Sequence, residues 1–331
     1  MIKMSNILVT GGAGYIGSHV VRGLLRHGYQ PIVLDNLQTG HRKAIKDALL
    51  IEGDLSDQEK LKEIFRFNSI QVVMHLAADC LVGESVRDPL KYFNNNVKNS
   101  IQLIEIMNEL NVNKIVFSSS AAVYGEPEKI PIPEDHPCLP TNPYGETKWI
   151  FEKVLNYFCE TGKLNYLSLR YFNAAGADPE GELGEDHSPE THLIPLVLKA
   201  ALKGIPISIY GTDYDTLDGT CIRDYIHVTD LAHAHILALQ RLEAGQNCGI
   251  YNLGNGNGYS VREVIETARR GTGKKISSIE SARRQGDPPR LVASSEKIRE
   301  ELGWIPKYPE LETIVETAWR WHRDHPNGYG N

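Results

Sequence analysis

The stretch "ILVTGGAGYIGSHVVRGLLRHGYQPIVLDN", residues 7–36, decides the fold. An apolar run, Asn6 to Thr10, ends in Gly11, Gly12, Gly14 and Gly17; an amphipathic segment follows, and a second apolar run closes on Asp35. Read as strand, helix and strand, this order puts the glycines at a tight turn where backbone must approach a ligand with no Cβ in the way. The first turn of the helix offers free N–H groups to an anion, which suits a pyrophosphate. Asp35 stands 18 residues after Gly17, where a carboxylate can accept hydrogen bonds from an adenosine ribose. A glycine cluster alone reads equally as a flexible turn; the ordered unit of strand, helix, strand and acid reads as a dinucleotide site. The carboxylate repels a 2′-phosphate and favours NAD over NADP, while Arg42 and Lys43 keep NADP open as the alternative.

Further apolar runs continue the rhythm: "ALLIEGD" (48–54), "QVVMHLA" (71–77), "KIVFSS" (114–119) and "NYLSLRY" (165–171). Short and almost free of charge, they are predicted to be strands buried on both faces, and their alternation with helices predicts a doubly wound parallel α/β sheet. After about residue 173 the rhythm breaks. "NAAGADPEGELGEDHSPETH" (173–192) is expected to be a long surface loop crossing into a second, smaller α/β lobe. That lobe is expected to hold a helix at about 191–203 and a strand near 205–210. A helix at about 229–243, started by Thr229 and Asp230, a short strand "IYNLG" and a helix opened by a Ser260/Glu263 capping box should follow. "LETIVETAWRWHRDHPNGYGN" reads as a final amphipathic helix with a polar tail. The expected division is 1–175 and 176–331, with about 224–250 packing back on the first part.

At 331 residues and 41% hydrophobic content the chain has the makings of about two soluble domains. A net charge of −7 and a pI near 6.0 argue against wrapping nucleic acid or clinging to anionic lipid. There is no run of 18 apolar residues and no secretory signal pattern, so a cytoplasmic, membrane-free protein is expected. The five cysteines (80, 138, 159, 221, 248) form no CxxC pair and read as reduced thiols. Of the twelve histidines, His233 and His235 lie in a helical pattern, no HExxH occurs, and no metal is expected.

In "TNPYGETKWIFEK" (141–153), Tyr144 and Lys148 stand four residues apart after a helix-starting proline. Taken alone, the pair reads more readily as ordinary helix surface than as catalysis. With Thr10 and the spacing Gly11, Gly14, Gly17, with "SSSAAVYG" (118–125) and "YGETK" (144–148), the chain resembles the extended short-chain dehydrogenase/reductase family. "LVGESVRDPLKYFNNNV", "RYFNAAGA", "GEDH", "CIRDYIHVTDLA", "YNLGNGNGYSV" and "RRQGDPP" are similar to the UDP-galactose 4-epimerase branch, in order and across nearly the whole chain.

That resemblance implies a Rossmann-type fold, tightly bound NAD, a UDP-hexose substrate and a homodimer. The implied cofactor contacts are Gly11, Gly14, Tyr15, Ile16, Gly17, Asp35, Asn36, Asp54, Leu55, Leu76, Ala77, Ala78, Asn95, Ser118, Tyr144, Lys148 and Tyr171. The implied substrate contacts are Ser120, Tyr144, Asn173, His192, Leu193, Arg223, Arg284, Asp287 and Leu291, the two arginines being suited to pyrophosphate.

The implied reaction inverts C4 of the hexose through a 4-keto sugar, with Tyr144 as base, Lys148 as its electrostatic support and Ser120 as hydrogen-bond partner. An unperturbed Tyr has a pKa near ~10, and bringing it down by ~3 units needs about 4 kcal/mol. An exposed Tyr–Lys contact, worth ~0–1 kcal/mol, does not supply this, so Lys148 must be buried. Two departures from the family pattern stand out. Cys80 replaces a lysine that would touch the cofactor, and Leu291 replaces a bulky Tyr, which leaves room for an N-acetyl group. Dehydration of the sugar would need a carboxylate pair where Ser119, Ser120, Ala121 and Ala122 stand. UDP-glucuronate or UDP-pentose epimerisation, and a catalytically silent NAD-binding protein, are the remaining alternatives.

Overall fold

A computed structural model of the chain describes residues 5–245, 247–284 and 286–330. Thirteen strands are described: β1 (Asn6–Thr10), β2 (Gln30–Asp35), β3 (Leu49–Glu52), β4 (Val72–His75), β5 (Lys114–Ser120), β6 (Asn165–Tyr171), β7 (Asn173–Ala175), β8 (Ile207–Tyr210), β9 (Ile222–His227), β10 (Cys248–Leu253), β11 (Gly258–Ser260), β12 (Ser278–Ser281) and β13 (Arg290–Leu291). The helices are α1 (Tyr15–Arg26), α2 (Gln58–Asn68), α3 (Val82–Arg87), α4 (Pro89–Tyr92), α5 (Asn99–Glu109), α6 (Pro143–Glu160), α7 (Leu193–Lys203), α8 (Val228–Glu243), α9 (Val261–Thr272), α10 (Glu296–Leu302) and α11 (Leu311–Asp324).

The main sheet has seven parallel strands in the order β10-β6-β5-β4-β1-β2-β3. The chain runs outward from β1 through β2 to β3, then returns to β4 and runs outward the other way. The reversal lies between β1 and β4, and a crevice outside the carboxyl ends of the strands at that point is where doubly wound sheets bind ligands. Leu8, Ile32, Val73 and Phe117 pack on one side against Leu103, Phe151 and Leu155, while Ile7, Val9 and Val33 pack on the other with Val20 and Leu24 of α1. Each such fully buried side chain contributes about 1.5–3 kcal/mol.

β3 departs from the expectation of a strand buried on both faces. It is the edge of the sheet, and Leu49 is more than half exposed. An apolar run is compatible with an edge when only one neighbour covers it.

The stretch 173–192 also differs from the surface loop expected. It begins with β7, and Ala175, Ala177, Asp178, Leu183 and Glu185 are buried. Its polar backbone finds partners inside the molecule, with Tyr15 Oη donating to Gly176 O at 2.6 Å and Ala177 N donating to Thr317 Oγ1 at 3.2 Å. Glycine and proline content marked the irregular backbone correctly but said nothing of its depth.

α8 begins at Val228, with His227 at the N-cap accepting from Thr229 N at 3.1 Å. Asp230 does not cap it; its carboxylate accepts from Lys307 N and Tyr308 N, both at 2.8 Å. The capping box at α9 forms as expected, Ser260 and Glu263 each accepting from the other's backbone.

Ile226, Leu231 and Leu239, with Tyr251 of β10 and Trp304, share the apolar cluster of Ile7 and Val9. A third cluster joins Val197 and Leu198 of α7, Val264 of α9, and Ile314 and Val315 of α11. β9 pairs with β7, β11 and β13, and β8 pairs with β12.

Candidate active site

Five of the parallel strands end on polar residues: Thr10, Asp35, His75, Ser118 to Ser120 and Tyr171, all but His75 singled out in the sequence. Register brings Thr10 opposite His75 and Ser120 opposite Tyr171. At the turn after β1, Gly11 has φ +70°, and a Cβ there would lie 2.6 Å from Ala77 N. A Cβ on Gly17 would overlap Gly11 O. Gly14 differs: its Cβ would meet nothing closer than Gly11 O at 3.4 Å. Gly14 is the N-cap of α1, no side chain caps it, and the first turn carries no acid. The N–H groups that open α1 thus have no side-chain acceptor at the cap. Tyr15 turns its hydroxyl to Gly176 O, and Ile16 packs partly against the core.

Asp35 is buried, and its two oxygens accept from Ala13 N and Leu37 N, each at 2.9 Å. Burial pushes its pKa above the usual carboxylate value, against the pull of those N–H groups. Asn36 Nδ2 donates to Asp54 Oδ2 at 2.7 Å, next to the buried Leu55. Burial raises Asp54, but hydrogen bonds from Ser56 and Asn36 outweigh it and hold the carboxyl low. Arg42 is ion-paired with Glu52 and Lys43 donates to Gly330 O at 2.6 Å, so both cations that left NADP open are engaged elsewhere.

Leu76, Ala77 and Ala78 follow β4, half-buried, and Cys80 beyond them is exposed. Asn95 lies in a π-helical segment, Phe93–Lys98, and donates to Asp79 Oδ2 at 3.0 Å. Such segments often mark functional positions in a helix.

α6 starts cleanly. Asn142 accepts from Gly145 N at 2.9 Å and Pro143 occupies the first turn. One turn apart, Tyr144 and Lys148 are both buried on one side of the helix. Lys148 Nζ donates to Ser118 O at 2.8 Å and lies 5.9 Å from the centre of the Tyr144 ring. Burial pushes Lys148 down to about 8, and it pushes the Tyr144 phenol above its ordinary value, opposed by a hydrogen bond with Ser120. Burial therefore works against a phenolate, and only positive charge close to Tyr144 can reverse it. Ser118 Oγ is paired with His235 Nε2 at 3.0 Å, whereas Ser119 Oγ is buried without a partner. Tyr171, at the end of β6, reaches Ser118.

The expected substrate residues fall into separate groups. Arg223 on β9 is ion-paired with Asp287, and Leu291 on β13 stands opposite Arg223 in register. Leu291 packs against the cluster of Ala121 and Val123, the residues that follow Ser120. Asn173 is half-buried on β7. Arg284 is exposed, with its guanidinium 4.2 Å from the Tyr210 ring centre rather than beside Arg223. His192 occupies the N-cap position of α7 ahead of Leu193 without a side-chain cap bond, and its Nδ1 lies 2.6 Å from buried Glu185. Burial lowers His192, but the Glu185 carboxylate outweighs it and holds the imidazole charged well above the usual range.

The chain's family follows from comparison. A family model described as the NAD dependent epimerase/dehydratase family matches residues 7–254. The chain belongs to this family. Within the epimerase/dehydratase family, it is 57% identical over 324 residues to the UDP-glucose 4-epimerase of Halalkalibacterium halodurans, covering 98% of this chain and 97% of that one. A crystal structure of UDP-glucose 4-epimerase from Brucella ovis in complex with NAD superposes with a TM-score of 0.92 at 47% identity, over 95% of this chain and 97% of the other. The UDP-Glc/GlcNAc 4-epimerase from Campylobacter jejuni gives a TM-score of 0.84 at 41% identity, over 97% and 99%. The Rossmann-type parallel fold expected from the sequence is the fold of this epimerase/dehydratase family.

Three polar networks supporting the site were not singled out in the sequence. Thr10 Oγ1, His75 and Ser100 form a buried chain with contacts of 2.8 Å, burial keeping His75 neutral down to about 3. Asn96 Nδ2 donates to Asp79 O at 2.9 Å and to Thr147 Oγ1 at 3.1 Å, tying the π-helical segment to α6. Arg170 and Glu152, with side chains 2% and 1% exposed, pair at 2.6 Å, and Arg170 also donates to Tyr124 Oη at 2.9 Å. The only advance signal for this last pair was a charge inside each of two apolar patterns.

Proposed function

We propose that the chain interconverts UDP-glucose and UDP-galactose by inverting C4 of the hexose through a 4-keto sugar, with NAD held throughout. The observation that carries this is Tyr144 with Lys148 buried beside it, facing Ser120 where β5 ends, within a family whose close relatives are UDP-glucose 4-epimerases. Gly11, Gly14 and Gly17 with the opening turn of α1 would hold the cofactor's pyrophosphate, and Asp35 its adenosine ribose. NAD, when bound, accepts the hydride of C4 and returns it.

The chain's own residues handle protons and position. Tyr144 Oη takes the proton of the 4-hydroxyl as the C4–H bond breaks and gives it back when that bond reforms on the other face. Ser120 Oγ, in reach of Tyr144, orients the sugar oxygen. Lys148 supplies positive charge from inside the protein, where it acts far more strongly than at a surface. Arg223 and Asp287, with Asn173, Leu193 and His192, anchor the UDP, and Arg284 would have to leave Tyr210 to join them. The hexose is held more loosely than the UDP, so that the 4-keto sugar can present its second face.

The test is to supply UDP-galactose without added NAD and assay for UDP-glucose, with Tyr144→Phe alongside. Turnover by the wild type and its collapse in the variant support the reading; equal rates would overturn it.

We extend the same reading to N-acetylated sugars, because Leu291, where a bulky Tyr would close the pocket, packs beside the residues following Ser120. A cytoplasmic location and a homodimer are also part of this reading. Free cysteines support the first, and the largely exposed Val86, Leu90 and Tyr157 on α3, α4 and α6 support the second. Light scattering that returns a monomer mass would remove the dimer.

A further inference from the structure

Just before α7, four side chains converge, of which His192 alone has a part in the function proposed above. Glu185, His187, Glu190 and His192 present ligand atoms that all lie within 4.8 Å of one another. His187 Nδ1 is 3.1 Å from Glu185 Oε1 and 4.0 Å from Glu190 Oε1. His192 Nδ1 is 2.6 Å from the first oxygen and 3.4 Å from the second. Ligand bonds of 2.0–2.2 Å around a tetrahedral dication put neighbouring ligand atoms about 3.4 Å apart, so these four spacings bracket that value.

A second observation points to a ligand. Glu190 has a side chain only 5% exposed, and its Oε2 makes no hydrogen bond, being ion-paired with Lys199 Nζ at 3.6 Å. Glu190 Oε1 is held by Thr191 N at 2.8 Å and His192 N at 2.9 Å, which fixes the carboxylate's direction. Glu185 is buried, and Tyr15 packs edge-on to the His187 ring with centroids 6.2 Å apart, closing one side. The donor set is two imidazoles and two carboxylates. Imidazole selects first-row transition ions over magnesium or calcium, whose sites are built from oxygen alone.

We propose that Glu185, His187, Glu190 and His192 form a binding site for a first-row transition-metal dication such as Zn2+ or Co2+. Coordination requires each imidazole to present an unprotonated ring nitrogen to the ion. Occupancy joins residues 185–192 to the start of α7, which carries Leu193. The inference does not depend on the reaction assigned above and is tested without it.

Untagged, NAD-bound protein is titrated with Co2+ by visible absorption and calorimetry. One equivalent per chain with d–d bands and no thiolate charge-transfer band, displaced by Zn2+ and not by Mg2+, is the expected result. His187→Ala and Glu190→Gln should each weaken binding at least ~10-fold, as removal of a ligand does, while Cys80→Ser leaves it unchanged. No saturable Co2+ binding, or equal binding in both ligand variants, overturns the proposal. A charge-transfer band lost in Cys80→Ser also overturns it. If the variants do not fold, the wild-type stoichiometry and spectrum decide by themselves.

Discussion

Lys148 Nζ donates to the carbonyl oxygen of Ser118 at 2.8 Å, which ties the charge on α6 to the carboxyl end of β5. The bond uses one of the three ammonium donors and leaves the charged end 5.9 Å from the centre of the Tyr144 ring. Sequence spacing alone set Tyr144 and Lys148 on one helix face; the tertiary structure buries the lysine and ties its ammonium to β5.

Replacing Tyr144 by Phe removes only the hydroxyl. The expected outcome is at least a ~100-fold loss of epimerase rate, the ordinary worth of a positioned general base, with NAD content and melting temperature nearly unchanged. Single-turnover assay beside cofactor quantification checks it.

Lys148 is pushed down to about 8 by burial, so its charge is present at neutral pH and disappears as pH rises through that value. The rate should therefore fall on the alkaline side near pH 8. Lys148→Arg, whose guanidinium stays charged to pH 12 and above, should lack that limb even at a lower overall rate. A pH–rate profile with the same alkaline limb in both proteins contradicts the assignment.

The glycines of the first turn should separate by role. Gly17→Ala puts a methyl onto Gly11 O, backbone against backbone, and should cost several kcal/mol of stability or prevent folding, at the upper end of single-site effects. Gly14→Ala meets only an ordinary contact at 3.4 Å and should fold, yet bind NAD more weakly because its methyl stands at the N-cap facing the anion. Thermal unfolding and cofactor titration of the two variants distinguish them.

Breaking the buried Glu152–Arg170 pair should be costly. Glu152→Ala leaves an unpaired guanidinium 2% exposed and should destabilise by about 3–5 kcal/mol. Glu152→Leu combined with Arg170→Met should lose less than that single change, since no charge is stranded. Denaturant midpoints of the single and double variants give the comparison.

Leu291→Tyr should reduce turnover of UDP-N-acetylglucosamine by at least ~10-fold relative to UDP-glucose, for a pocket-size change worth about 1–3 kcal/mol. Wild-type protein that turns over UDP-galactose but not the N-acetyl sugar would show that Leu291 does not open the pocket.

The first 36 residues were legible because their constraints are local. Gly11 needs a positive φ, Gly17 must touch Gly11, and Asp35 ends the neighbouring strand, all within one strand–helix–strand unit. The six strands through Tyr171 were legible for the same reason, as was the capping box at Ser260. Asp230 was misread because a carboxylate at a helix start is a local cap signal, whereas its actual partners, Lys307 and Tyr308, arrive from 77 and 78 residues away. The depth of 173–192 was hidden because Gly and Pro report backbone shape, while burial depends on α11 covering the segment.

The sequence by itself determined a parallel sheet with a glycine turn after its first strand, an acid at the end of the second, and a tyrosine and lysine one helical turn apart. These follow from backbone sterics and helical or strand periodicity, which act over a few residues. Only the tertiary structure decided that Lys148 is buried on Ser118, that Arg223 pairs with Asp287 while Arg284 lies on Tyr210, and that Glu185, His187, Glu190 and His192 meet in one place. Burial and charge pairing depend on which distant segments pack together, and no periodicity within a segment records its neighbour.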